Sequence, residues 1–242
     1  MLKSVAGRQV PFNPRQFPTR LSRRVGLRTM SSIGGKAPFE FYDGFETGDF
    51  SKWDILLASP YDIITSPTHH GSYAAKSKVV SGALTHTIAK TITNYYIRLY
   101  CQLTGTFPAD ESSNDVLQME VTPGGGGIIT LVLATGGAIS PRFRIYNNVH
   151  DTWADGITSL ALGTWYCVEV KMQSNNASAT HKLWLNGVEE VSFADTTLGY
   201  NLGSLRMTQC YWELYTGRII IDCLISDPST RPTCVYYPAY QV

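Results

Sequence analysis

The chain has 242 residues, of which 43% are hydrophobic, 12% aromatic and only 16% charged, and its formal net charge is +1. That composition excludes a disordered protein, and no apolar run approaches the roughly 18 residues that a membrane-spanning helix needs. The length suits one large domain, because β-sandwiches commonly run to about 200 residues.

Charge is divided unevenly along the chain. Residues 1–38 hold eight basic residues and no Asp or Glu, so they carry +8; residues 39–242 hold the other twelve against all nineteen acidic residues, which leaves −7. The chain therefore divides into a basic extended arm (1–38), a body (39–227) and an aromatic, nearly uncharged tail (228–242). Pro11, Pro14 and Pro18 interrupt any apolar core of a secretory signal, whereas the Arg-rich, acid-free stretch from Arg23 to Ser32 has the character of a mitochondrial presequence. An arm of this composition buries too little apolar area to order itself, so a neighbouring protein subunit is its expected partner. Phe12, Phe17, Leu21, Val25 and Leu27 would anchor it, and Arg15, Arg20, Arg23, Arg24 and Arg28 would meet acidic groups. Nucleic acid is disfavoured, since no stacking aromatics are interleaved with the charges.

From Phe39 onward, alternating or compact β-branched and aromatic runs predict strands over 73–79, 83–92, 95–103, 116–122, 128–134, 142–146, 165–172, 182–185, 188–193, 205–208 and 218–225. Glycine- and asparagine-rich turns separate them, and Asn186-Gly187 predicts a two-residue hairpin of type I′. Many short strands with regular turns imply an all-β, antiparallel two-sheet jelly-roll sandwich. In the run 165–172, alternation sends Tyr166, Val168, Val170 and Met172 to the core and Cys167, Glu169 and Lys171 to the other face. Likewise Phe143 and Ile145 point inward, leaving Arg142 and Arg144 to project outward or into a groove.

The segment from Asp43 to Trp53, DGFETGDFSKW, resembles the opening of concanavalin A-like and laminin-G-like jelly rolls and of related carbohydrate-binding modules. Three later segments resemble that family in the same order: His70-Gly71-Ser72-Tyr73-Ala74-Ala75, Gly163-Thr164-Trp165-Tyr166 with Leu183-Trp184-Leu185-Asn186-Gly187, and Ile219-Ile220-Ile221-Asp222. The resemblance implies two packed sheets, one concave, with ligand sites on the concave face or at the loop rim. It also implies a structural calcium joining first and last strands, with Glu46 and Asp222 as carboxylate ligands, Asp43 or Asp49 beside them and a backbone carbonyl near Gly71. The other reading is that Glu46 and Asp222 cap turns or meet basic neighbours. Cys223 stands where the family has a second acid.

Catalysis is not expected. Glycan-cleaving relatives carry two or three carboxylates on alternate residues of one strand, but Glu189 and Glu190 are adjacent and the run 117–121 offers only Glu120. His69 and His70 read as an exposed pair in a turn, and His86, His150 and His181 lie apart with no partner at ligand spacing. The five cysteines form no CxxC pair; Cys101 and Cys167 read as small buried groups, and any bridge is expected among Cys210, Cys223 and Cys234. Glycan binding remains open, with Trp153 the leading candidate in a loop flanked by Asp151 and Asp155, and with Arg142 and Arg144 alongside. These features point to a non-enzymatic structural component of a large assembly, a virion surface or capsid-decorating protein, docked through its arm. The alternatives are a stand-alone extracellular glycan-binding module and a mitochondrial protein with a presequence.

Overall fold

The computed structural model describes residues 40–227, apart from gaps at 79–81, 111, 123–126, 138–139, 149, 175, 198–200 and 209–215, together with Arg231. The expected arm contacts, including Arg15, Phe17, Arg20, Arg23, Arg24 and Arg28, lie outside the described residues, as do Trp212, Tyr200, Tyr211 and Tyr215. Fifteen strands follow in order: β1 (Phe41–Asp43), β2 (Ile55–Leu57), β3 (Tyr61–Ile64), β4 (Ala74–Ser77), β5 (Ala83–Ile92), β6 (Asn94–Thr104), β7 (Ser112–Thr122), β8 (Gly127–Thr135), β9 (Arg142–Asn147), β10 (Thr152–Asp155), β11 (Trp165–Gln173), β12 (Ala179–Leu185), β13 (Val188–Asp195), β14 (Asn201–Thr208) and β15 (Arg218–Asp227). Among the described residues no helix is long and apolar enough to cross a membrane.

Two antiparallel sheets result. One runs β13-β12-β11-β6-β15-β4-β3, with β1 also paired to β15; the other runs β10-β9-β8-β7-β14-β5-β2. Their facing sides interdigitate in a single core. Tyr166, Val168, Val170 and Met172 of β11 enter it from the first sheet, and Leu84, Leu117, Leu131, Phe143, Ile145 and Met207 from the second. Alternation thus assigned the β9 and β11 core residues as the sequence predicts.

The hairpin at Asn186-Gly187 is formed as expected, with Leu185 paired to Val188 and both turn residues at positive φ, 50° and 84°. Asn186 does more than turn the chain. Its Oδ1 accepts the Cys167 N–H at 2.9 Å, and its own N–H donates to the Cys167 carbonyl at 2.8 Å, tying the hairpin to β11.

Three expectations need correction. Cys167 is disulfide-bonded rather than a free apolar filler, and its partner lies outside the described residues; Cys223 is a free thiol and takes no part in a bridge. His69 and His70 are half-buried, not an exposed pair: the His69 ring stacks on Tyr100 with centroids 3.9 Å apart. Trp153 stands on a strand, not in a loop, because Thr152–Asp155 pairs in register with Arg144–Asn147. Four residues are too few to show a period, so only the pairing reveals that strand.

Candidate functional site

On β9, the strand alternation that buries Phe143 and Ile145 turns Arg142, Arg144 and Tyr146 to the outer face of the second sheet. β10 pairs beside it, setting Trp153 opposite Tyr146 and Asp155 opposite Arg144. The five residues that the sequence nominates for glycan contact are thereby brought together at one sheet edge. Asp155 accepts a two-point fork from Arg144, Nε to Oδ1 at 2.6 Å and Nη2 to Oδ2 at 3.1 Å. Arg142 adds a third bond to the same carboxylate at 3.1 Å and donates through Nη1 to the Gly136 carbonyl at 2.8 Å. Burial alone would raise the Asp155 pKa, but the hydrogen bonds from Arg144 and Arg142 outweigh it and hold the carboxyl below its ordinary value.

The aromatic groups rest on this ionic frame. The Arg144 guanidinium lies 5.2 Å from the Trp153 ring centroid, and Trp153 is 51% exposed. The Tyr146 ring stands 6.4 Å from that of Trp153 and is inclined to it by 50°. Asp151 accepts the Tyr146 hydroxyl at 2.6 Å, which fixes the phenol and raises its pKa. An exposed indole edged by a fixed phenol, two guanidiniums and two carboxylates can offer an apolar ring face and directed polar groups to one ligand.

Farther across the same face lie residues that sequence reasoning missed. Gln118 on β7 donates to Asp115 at 2.6 Å, and burial pushes the Asp115 carboxyl up despite that bond and the nearby Arg206. Between these and β9, the outward residues Thr130, Val132 and Ala134 of β8 are buried, at most 3% exposed, and Thr130 Oγ1 accepts the Asn148 side-chain N–H at 3.4 Å. Gln118 and Arg206 alternate with core residues in their strands, so their outward direction was readable. Their common row was not, since it depends on pairing.

On the outer face of the first sheet, Arg231 covers Glu169 and Trp184. Glu169 is 1% exposed and accepts Arg231 Nη2 at 2.6 Å, while the Arg231 guanidinium stacks 3.9 Å from the centroid of Trp184. With Cys167 disulfide-bonded on the same face, Trp184 is closed off as a platform.

The expected metal ligands cluster around the loop 69–73. Glu46 accepts the Ser72 N–H at 2.9 Å and the Tyr73 N–H at 3.1 Å, and Asp222 Oδ2 accepts the N–H groups of His69 and His70, each at 2.8 Å. Gly71 must be glycine: its φ is +65°, and a Cβ there would lie 2.2 Å from Glu46 Oε1. Asp43 departs from the expectation, turning both oxygens inward to the Phe45 N–H and to Trp53 Nε1, each at 2.8 Å. Among the described residues no group of three His, Cys, Asp or Glu side chains is placed to hold a metal ion. Asp222 Oδ1 nevertheless remains buried without a hydrogen-bond partner, whereas both oxygens of Glu46 are taken by backbone N–H groups.

No family model matches the sequence, and no curated protein matches it. Solved structures do match. "Cellulose induced protein, Cip1" aligns at TM-score 0.60 and 18% identity over 81% of this chain and 100% of its own. The binding domain of Paraclostridial Mosquitocidal Protein 1 aligns at TM-score 0.56 and 10% identity, over 78% of this chain and 48% of that one. Domain 4 of AbnA, a GH43 extracellular arabinanase from Geobacillus stearothermophilus solved in complex with arabinotriose, aligns at TM-score 0.51 and 15% identity, over 79% and 93%. These likenesses establish the fold, a two-sheet jelly-roll β-sandwich.

Proposed function

We propose that this chain is a non-enzymatic glycan-binding module whose platform is the β9–β10 edge. The observation that carries the reading is Trp153, a large apolar ring left 51% exposed on an ordered strand and backed by a guanidinium. A sugar ring presents C–H groups on its faces and hydroxyls around its rim, which suits an indole face beside directed polar groups. The arabinotriose complex of the AbnA domain supports the same reading by likeness of fold. The nearby carboxylates are committed to holding partners, Asp155 to two arginines and Asp151 to Tyr146, which favours binding over bond cleavage.

A glycan array probed with the full chain tests this. Trp153→Ala should weaken binding about tenfold or more, while the thermal midpoint moves little because the ring is at the surface. Binding that is absent, or unchanged in that variant, would refute the proposal.

A second reading is favoured by the charge split between residues 1–38 and the body: a subunit of a large assembly, such as a virion surface, docked by its basic arm and displaying the glycan site outward. The disulfide at Cys167 supports an oxidising location, extracellular or on a particle surface, over a reducing organelle interior. The size of the native particle with which the chain purifies distinguishes a subunit from a free module.

A further inference from the structure

We propose that Asn176 is an acceptor of N-linked glycosylation, so that the body carries a covalent glycan on the turn between β11 and β12. The chain has nine asparagines, and only Asn176-Ala177-Ser178 shows the pattern that the transferring enzyme reads, Asn, a residue other than Pro, then Ser or Thr. A pattern this short arises readily by chance, so the placement of the amide decides whether it is usable.

The turn meets the requirements of both the reaction and its product. Ala177 and Ser178 are exposed, and Ala179 then enters β12 fully buried. The Ser178 N–H donates to Asn176 Oδ1 at 2.9 Å, an Asx turn that fixes the carbonyl end of the amide toward the chain. The opposite end, Nδ2, makes no hydrogen bond and is not buried, so it faces solvent. Beneath it the backbone is held on both sides: the Asn176 carbonyl accepts the Thr197 N–H at 2.8 Å, and the Asn176 N–H donates to Thr197 Oγ1 at 3.3 Å. A folded protein tolerates the modification only where the substituted nitrogen has room, and an amide buried or bonded through Nδ2 would have none. The strand that leads into this turn carries the disulfide-bonded Cys167, which favours oxidising surroundings. In eukaryotic cells the lumen where such bonds form is also where glycans are transferred to asparagine.

In the transfer, Nδ2 attacks the anomeric carbon of an oligosaccharide carried on a polyprenyl diphosphate. The C–N bond forms as the C–O bond to the diphosphate breaks; one amide proton is released and the polyprenyl diphosphate departs. No electrons change hands with an outside partner. This glycan is attached to the chain and not held by the Trp153 platform, so the inference stands apart from the glycan-binding reading. It makes the 176–178 turn a solvent-facing point in any assembly that the chain enters.

The test directs the full chain into the secretory lumen of yeast by an added cleavable signal and compares it before and after peptide N-glycosidase. Retained and exported chain are pooled, so poor export does not hide the result. The enzyme should remove the mass of one glycan and convert Asn176 to aspartate in the peptide read by mass spectrometry. Asn176→Gln and Ser178→Ala should each abolish the change in mass, whereas Ser178→Thr keeps it because the hydroxyl remains. The Asn176 side chain bonds only within its own turn, so Asn176→Gln retains the fold. An unmodified wild-type chain, or a glycan that survives Asn176→Gln or Ser178→Ala, overturns the inference.

Discussion

His181 shows how a single buried side chain gives the fold a dependence on pH. It is fully buried on β12, its Nδ1 accepts the Gln173 N–H at 3.3 Å, and burial drives its pKa from 6.5 down to about 4, despite the opposing charge of Asp195. The native state therefore holds it neutral, while the unfolded chain takes up a proton near pH 6.5. Its contribution is complete above that value and is lost as pH falls toward about 4. The stability difference between the wild type and His181→Asn, measured by urea unfolding, should shrink over that window; a constant difference would show that His181 does not titrate as its burial requires. Asp115 has the opposite sign, since burial raises its carboxyl and any stability linked to its proton is lost as pH rises. Asp155, held down by two arginines, was legible from the sequence only as a neighbour of Trp153. That both arginines share one carboxylate required the register of β9 against β10.

At the level of elements, the long strands and the short β4, which lies inside the predicted run 73–79, were readable, and the other short ones were not. β5, β6, β8, β9, β11, β13 and β15 follow the predicted runs closely, because six or more residues suffice to show alternation or β-branched density, whereas the predicted runs 116–122, 182–185 and 205–208 catch only parts of β7, β12 and β14. β1, β2, β3 and β10 have three or four residues each and owe their existence to neighbours that pair with them. β15 carries a further hidden feature, a register shift between Asp222 and Ile225 with Cys223 at φ 48°. The adjoining Asp222 carboxylate reaches the loop at His69 and His70, where Glu46 holds the next two residues. Calcium at this clamp would bind only the folded chain. At a hundredfold excess over its dissociation constant it should add about 2.7 kcal/mol, a rise of roughly 5–10 °C in thermal midpoint that a chelator removes and Asp222→Asn abolishes. An identical midpoint with calcium and with chelator would dismiss the metal.

For the whole molecule, the near-neutral total of +1 conceals a +8 segment and a −7 remainder. The fifteen strands of the described residues and the core they form lie between Phe41 and Asp227, so removing residues 1–38 should leave the melting curve of the body intact. If the arm docks on a partner subunit, the truncated chain should fail to enter its assembly, and the docking of the full chain should weaken with salt. Normal incorporation without the arm would reject the subunit reading. The sequence by itself determined the all-β class, the inward faces of β9 and β11 and the Asn186-Gly187 hairpin, because alternation and turn chemistry act between residues close along the chain. The tertiary structure alone decided that Cys167 is cross-linked, that Arg231 covers Trp184, and that Trp153, Tyr146, Gln118 and Arg206 share one row. Those outcomes depend on which strands pair and in what register, and hydrogen bonds between distant strands set that register without leaving a local pattern in either strand.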